Sequence, residues 1–495
     1  MSNTGKKFVL ILMLAIILRS AGIISRSIWY DEAFSILLAE QGPEAILAGT
    51  ISTNTDSSAA EEHPPAYYFI LWGWIQFFGS SLISVRLLSI SISLGIILLI
   101  YGISNHLFDQ NTALIATLIA AILPFQIHYG QEIRMYVLLT FWLCLTTFAF
   151  LKRKWWLFSI SAALAQYTHN LAAFYLIPLA LTPIFYRDWK TLRSLTVAGL
   201  VSIVMYLPWA IHLPAQLSKV SATYWLEQPG PEKIFTLILY YLPNMPLPNN
   251  MLMAGLLLAT LTITLAVFQT ILARKKEPST ASNGIWLAYL AFTPPLLLWL
   301  ISQFVSVYIE RALLPSHAIF CIWLAWVYTH TKAPQPIQVL MAILIFASSF
   351  LGFSQHLTYK GFPYGPFAKI DQTIYNEMKP GDIVIHSSKL SYLPSFYFNP
   401  NLSQGYIIDP PGSTVDTLAP STRDILGLTG YENIDSATED SFRIWFIIYQ
   451  ASIDEYTSQG SANHPHLSYL ESEFNLESVE KQDDVSVYLF TKNKP

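Results

Sequence analysis

Apolar runs long enough to cross a lipid bilayer recur along the first 354 of 495 residues. They fall at 8–24, 84–104, 112–128, 134–151, 155–169, 171–187, 195–211, 251–272, 284–303, 312–329 and 337–354. Hydrocarbon offers the backbone no hydrogen-bonding partner, so runs near the ~20 residues needed for a crossing must be helices. The pattern predicts a polytopic bundle of about eleven transmembrane helices.

Charge divides the chain in two. Only 12% of the residues are charged, about half the ~25% of a soluble domain. From Tyr359 onward 9 Lys/Arg stand against 18 Asp/Glu, whereas the preceding residues carry 19 against 14. The expected division is a membrane domain at 1–358, with an outer loop at 25–83 bearing interfacial helices, and an acidic water-soluble domain at 359–495. Lys6-Lys7 precede the first run, Arg19 falls late within it, and no small-x-small site follows. It reads as a retained signal-anchor helix. Two cysteines, Cys144 and Cys321, sit in apolar runs and make neither a disulfide framework nor a Cys/His metal cluster. No basic tract suggests nucleic acid as a partner.

Pro65 to Phe78 is apolar but too short to span, and it carries two Trp, two Tyr and three Phe. With this segment lying along the interface, Lys6/Lys7, Lys152-Arg153-Lys154, Arg187/Lys190/Arg193 and Arg274-Lys275-Lys276 share one side. By the bias of basic loops that side is the cytoplasm. The N-terminus is then cytoplasmic. The loop 25–83, the Gln131–Arg134 turn, the Tyr167–Asn170 turn, the loop 212–250, Glu310-Arg311 and the soluble domain are outside. That domain reads as α/β: a helix over Ile370–Met378, a strand at Asp382–His386, a buried strand at Arg443–Tyr449 and an alternating one at Val485–Phe490. It shows no catalytic motif.

The polar motifs gather on the expected outer face. Carboxylates beside a bilayer are costly to desolvate, and Asp31-Glu32 follow the first span directly. On a helix their side chains diverge by about 100°, so the two cannot face one reacting atom. The plain alternative is a solvated acidic pair at a helix cap. Glu132 and Arg134, about 200° apart on a helix, each want a partner elsewhere. Arg134 and Arg311 suit a phosphate, since guanidinium forks match its oxygens, or else snorkel to the interface. His63, before Pro64-Pro65, and His169 are candidate donors to phosphate or sugar hydroxyls, or structural histidines. Arg86 reads as structural. Asp31, Glu132 and His63 are also possible ligands of a divalent cation, although their spacing imposes no geometry. Trp29, Tyr30 and the aromatics at 67–74 read as an interfacial belt.

The pieces WYDEAFS (29–35), HPPAYYFILWGWIQFFG (63–79), VRLLS (85–89), HYGQEIRMY (128–136), QYTHN (166–170) and IERALLPS (309–316) resemble, in order and sidedness, the GT-C glycosyltransferases. The likeness is to the protein O-mannosyltransferase and lipid A aminoarabinose transferase superfamily, over roughly 8–330. It implies an integral protein of a bacterial plasma membrane that moves a sugar from a polyprenyl-phosphate donor to a lipid, glycan or protein acceptor outside. Asp31 would be the general base and Glu32 would orient the acceptor or pair with a cation. His63, Glu132, Arg134, His169 and Arg311 would bind substrate. No cofactor is required by this reading. The alternative is a transporter or flippase of a lipid-linked sugar. Such proteins place their sites near the midplane, often between inverted repeats; here the charges cluster at one rim and no repeat is visible.

Overall fold

The structure is a computed structural model that describes residues 3–51, 63–214, 228–276, 278–409, 418, 420–439 and 441–492. The stretches 52–62 and 215–227 of the two expected outer loops fall outside the described residues. The chain forms two compact units. One comprises Met1–Ile23, His63–Ser221 and Leu226–Thr358; the other comprises Ile24–Glu62, Ala222–Trp225 and Tyr359–Pro495. The division at 358/359 read from charge coincides with a change of unit. Residues 24–51, grouped by sequence with the membrane helices, belong instead to the unit that holds the C-terminal residues.

Among the described residues each expected run in the first unit contains a helix. Among the described residues six helices are long and apolar enough to cross a membrane: Leu82–Leu107, Trp189–Ala210, Asn249–Lys275, Pro278–Ile301, Glu310–His330 and Gln335–Thr358. A seventh crossing arises if the bent pair Gln110–Ile122 and Pro124–Gln131 counts as one. Asn3–Ser20, Tyr136–Leu151, Trp155–Thr168 and Ala172–Phe185 are helices of 18, 16, 14 and 14 residues. The last three stop short because polar turns interrupt them. The aromatic segment is the helix Ala66–Phe78, with Tyr67, Tyr68 and Leu71 buried and Phe77 and Phe78 exposed.

The bend of 61° in the pair has a local cause. Pro124 pushes Leu123 into an extended conformation and opens the next helix at its first turn. Proline also has no N–H to return to the preceding turn. Arg19 fills the gap: Nη2 donates to Ala120 O at 3.0 Å, Nη1 to Ala121 O at 3.1 Å, and Nε to Ser93 Oγ at 2.8 Å. Its side chain is wholly buried. Gly130 lets the second half pass close, since a Cβ there would sit 2.7 Å from Ser93 Oγ. Gln131 then donates to the carbonyls of Arg19 and Ala21 at 2.6 and 2.7 Å, and Arg86 donates to Ile23 O at 2.9 Å. The end of the first helix is thereby capped by two distant side chains, which gives Arg86 the structural role expected of it.

In the second unit six strands form one sheet in the order β3-β2-β1-β4-β6-β5. They are β1 (Asp382–His386), β2 (Gln404–Ile407), β3 (Gly430–Tyr431), β4 (Arg443–Tyr449), β5 (Phe474–Gln482) and β6 (Val485–Lys492). The first four in that order run parallel, while β6 and β5 return antiparallel. β1 and β4 are buried almost throughout, as the apolar runs require. β5 closes the edge with exposed Glu477, Glu480 and Lys481, charges that discourage further strand pairing. Helices Phe367–Glu377 and Lys389–Phe398 enclose a buried polar chain. Ser395 Oγ lies 2.8 Å from Asp371 Oδ1 and 2.9 Å from Gln404 Oε1. One hydroxyl proton can serve only one of these oxygens. A protonated Asp371 donating to Ser395 satisfies both, and burial pushes the Asp371 carboxyl up to about 8.

Two outcomes follow. Arg19→Leu leaves the carbonyls of Ala120 and Ala121 in an apolar interior without their charged donor, at about 1.5–3 kcal/mol for each bond lost. Thermal aggregation in detergent, followed by size exclusion, should occur well below the wild-type temperature. Asp371 has a raised folded pKa, so its stabilisation is complete below the ordinary value of 3.8 and is lost as pH rises through about 8. Hydrogen-exchange protection of 367–407, taken relative to the intrinsic rate at each pH, should fall over that window in the wild type, and this fall should be missing from Asp371→Asn.

Candidate functional site

The polar residues of the first unit are brought together by its interrupted helices. Glu132 and Arg134 stand in the turn between Pro124–Gln131 and Tyr136–Leu151, with Glu132 in an extended conformation. The expectation that they sit 200° apart on a helix is therefore corrected, because the chain leaves the helix at Gln131 before either residue. Both are buried, at 2% and 4% exposure. The Glu132 carbonyl accepts from Ser89 Oγ at 2.8 Å, and Arg134 Nη1 donates to Tyr68 Oη at 3.3 Å. Tyr68 is fully buried, so it is a partner of Arg134 and not part of an interfacial belt. That role left no mark in the sequence beyond its place in an aromatic run.

His169 caps helix Trp155–Thr168 in an extended conformation and is 5% exposed. Its Nδ1 accepts the backbone N–H of Leu171 at 3.1 Å, which assigns the ring proton to Nε2. Nε2 is buried and has no hydrogen-bond partner among the described residues. Around it stand basic groups. The His63 ring meets it edge-on at 4.6 Å, and Tyr136 lies 5.3 Å away. The Arg311 guanidinium lies over the Tyr136 ring at 5.1 Å. The positive guanidinium groups of Arg134 and Arg311 act on His169 from nearby. Arg311 belongs to a short 3-10 turn whose Glu310 is paired to Lys233 at 2.6 Å. Asn170 accepts from Tyr206 Oη at 2.7 Å, fixing the turn on its other side.

A buried donor ringed by three basic side chains suits an anion with several acceptor oxygens. Among the described residues no group of three or more His, Cys, Asp or Glu side chains gathers to hold a metal ion. Leu139, Leu143, Leu171, Phe174, Pro294 and Leu298, on neighbouring segments, line a small apolar pocket. Leu171 follows His169 by two positions and Leu139 begins one turn beyond Tyr136, so the same segments build the charged and the apolar parts.

Asp31 and Glu32 belong to the second unit, in the first turn of helix Tyr30–Glu40. Trp29 is the N-cap and contributes no side-chain cap bond. Acidic residues in a first turn complement the helix dipole, so the cap reading accounts for part of their placement. Their surroundings differ, as the helical divergence requires. Glu32 is wholly buried, whereas Asp31 keeps part of its surface accessible.

Residues 62–212 match the dolichyl-phosphate-mannose-protein mannosyltransferase family. No curated protein matches the chain by sequence. Solved structures do match in fold. ArnT from Cupriavidus metallidurans bound to undecaprenyl phosphate superposes with a TM-score of 0.62 at 12% identity, over 99% of this chain and 98% of that one. The Archaeoglobus fulgidus oligosaccharyltransferase tethered to an acceptor peptide gives 0.55 at 12% identity, over 98% and 74%. Archaeal AglB from the same organism, in complex with an inhibitory peptide and a dolichol-phosphate, gives 0.50 at 11%, over 98% and 74%. The chain has the fold of the GT-C glycosyltransferases, along nearly its whole length.

Proposed function

We propose that the protein is a membrane glycosyltransferase that takes a sugar from a polyprenyl-phosphate carrier and gives it to an acceptor outside the plasma membrane. The observation that carries this reading is the buried Nε2–H of His169 among Arg134, Arg311 and His63, with a small apolar pocket lined from neighbouring segments. A lipid phosphate needs both parts: fixed positive donors for its oxygens and an apolar groove for its chain. The likeness to ArnT and AglB, whose structures hold undecaprenyl phosphate and dolichol-phosphate, supports the same carrier class here. The acceptor is a lipid, glycan or protein hydroxyl.

In the step proposed, the acceptor oxygen attacks the anomeric carbon while Asp31 removes its proton. The bond from that carbon to the phosphate oxygen breaks, and polyprenyl phosphate leaves with the electron pair, inverting the centre. Charge grows on the phosphate as the bond lengthens, and preorganised guanidinium and imidazole donors stabilise such charge. A carboxylate serves both as base and as counter-charge to an oxocarbenium-like centre. Glu32, buried one residue on, orients the helix end or the acceptor, and Glu132 contacts the substrate. A transporter reading would look to the broken helix at Leu123–Pro124. That break is filled by Arg19, which favours a structural role for it.

Asp31→Asn keeps the shape and removes the base. Transfer measured in membranes metabolically labelled with sugar should fall at least ~10²-fold, with affinity for undecaprenyl phosphate retained. In the same membranes Arg134→Lys loses the fork and Arg134→Gln loses the charge as well. The affinity order should be wild type, then Lys, then Gln, with a total gap on the order of 1.5–3 kcal/mol. Normal transfer by Asp31→Asn and equal affinities across the Arg134 series would together sink the reading. The orientation has its own check. Cysteines at Lys275 and Asp435 should label from opposite faces, and labelling of both by an impermeant reagent in intact cells would reverse it.

A further inference from the structure

The first outer segment and the strap leading into the soluble domain are clasped within the second unit. Arg26 donates to the Tyr364 hydroxyl, and its guanidinium lies over the Tyr364 ring at 4.9 Å. Trp29 meets the same ring edge-on at 6.4 Å, and Tyr359 meets it at 6.2 Å. The strap is tied to the sheet in turn: Tyr449, at the end of β4, donates to Pro363 O at 2.9 Å and its ring packs on Phe362 at 5.1 Å. Trp29 is the N-cap of helix Tyr30–Glu40, so the ring of Tyr364 touches the residue at which that helix begins. The body of the helix packs on helix Lys389–Phe398, and the following helix Pro43–Ile51 touches helix Pro420–Leu426. Eight consecutive residues, Glu32 to Ala39, are buried. An 11-residue helix is marginal alone in water, so this one takes its position from what holds it.

We propose that Tyr364 is a positioning residue for sugar transfer: through Arg26 and Trp29 it fixes the start of helix Tyr30–Glu40, and with it the carboxylate of Asp31. This rests on the assignment of Asp31 as base. The soluble domain, which carries no catalytic motif, thereby acts on the reaction as the mount of the catalytic helix. A displacement of about 1 Å at a reacting group can cost ~10²-fold in rate, so a loosened mount registers in turnover before it registers in donor binding.

The test uses the full chain in membranes labelled metabolically with sugar, with undecaprenyl phosphate as the binding probe and hydrogen exchange read over 26–40. Tyr364→Ala should lower the transfer rate per folded molecule ~10²-fold, leave undecaprenyl phosphate affinity unchanged and accelerate exchange in 30–40. Tyr364→Phe keeps the ring under Arg26 and loses one hydrogen bond, so it should restore most of the rate, to within about 5-fold of wild type. Arg26→Met, which leaves Tyr364 in place, should give an intermediate loss and serves if Tyr364→Ala does not fold. A wild-type rate per folded molecule in Tyr364→Ala, or in Arg26→Met should the former not fold, overturns the proposal while an inactive Asp31→Asn leaves the base assignment standing. Wild-type transfer by Asp31→Asn removes the base assignment and the positioning role together. A parallel fall in undecaprenyl phosphate affinity marks general damage and also overturns it.

Discussion

Arg19 is the charge on which the membrane unit depends. Burying a guanidinium in an apolar bundle is expensive unless its protons find acceptors, and here the acceptors are carbonyls released by a proline. The cost of the break at Leu123–Pro124 and the cost of the buried cation offset one another. Removing either partner leaves the other without its complement. The bend redirects Pro124–Gln131 so that Gln131 reaches back to the end of the first helix and the chain leaves the bundle at Glu132. The turn that carries Glu132 and Arg134 is thus a consequence of how the break is filled.

The basic cluster illustrates a different economy. His63, Arg134, His169 and Arg311 come from four separate turns, and the two guanidinium charges repel when gathered. Local bonds fix three of the four: Leu171 N–H on His169, Tyr68 on Arg134, and the Tyr136 ring under Arg311 with the Lys233–Glu310 pair beside it. A pocket preorganised in this way meets an anion without rearrangement, which is where electrostatic stabilisation is most effective. The small apolar pocket is lined from the same helices, so charged and apolar surfaces are built by one set of segments.

In the second unit the parallel strands β1 and β4 and the antiparallel edge β6 and β5 form one continuous sheet. The unit's helix Lys389–Phe398 supports helix Tyr30–Glu40. This acidic unit, with no catalytic motif, supplies the packing surface that a short helix buried over eight consecutive residues requires.

Helix positions were legible in the sequence because lipid forces hydrogen bonding within the segment, so an apolar run of sufficient length has one solution. The buried strands Asp382–His386 and Arg443–Tyr449 were legible for a similar reason, since continuous apolar runs flanked by turns have few alternatives. The short β2 and β3 and the exposed β5 carry no such periodicity and emerged only from pairing. Candidate site residues could be named from their chemistry, as carboxylates and guanidinium groups beside a bilayer. Their mutual placement could not: the turn at Gln131–Arg134 was legible, but which side chains from other turns meet Glu132 and Arg134 depends on packing between distant segments. The same holds for Tyr364 and Arg26, separated by 338 positions. Local sequence determines which segments become helices and strands, because backbone hydrogen bonding and side-chain burial are decided over a few residues. Tertiary structure alone decides which of their ends meet, because that follows from packing between segments far apart in the chain.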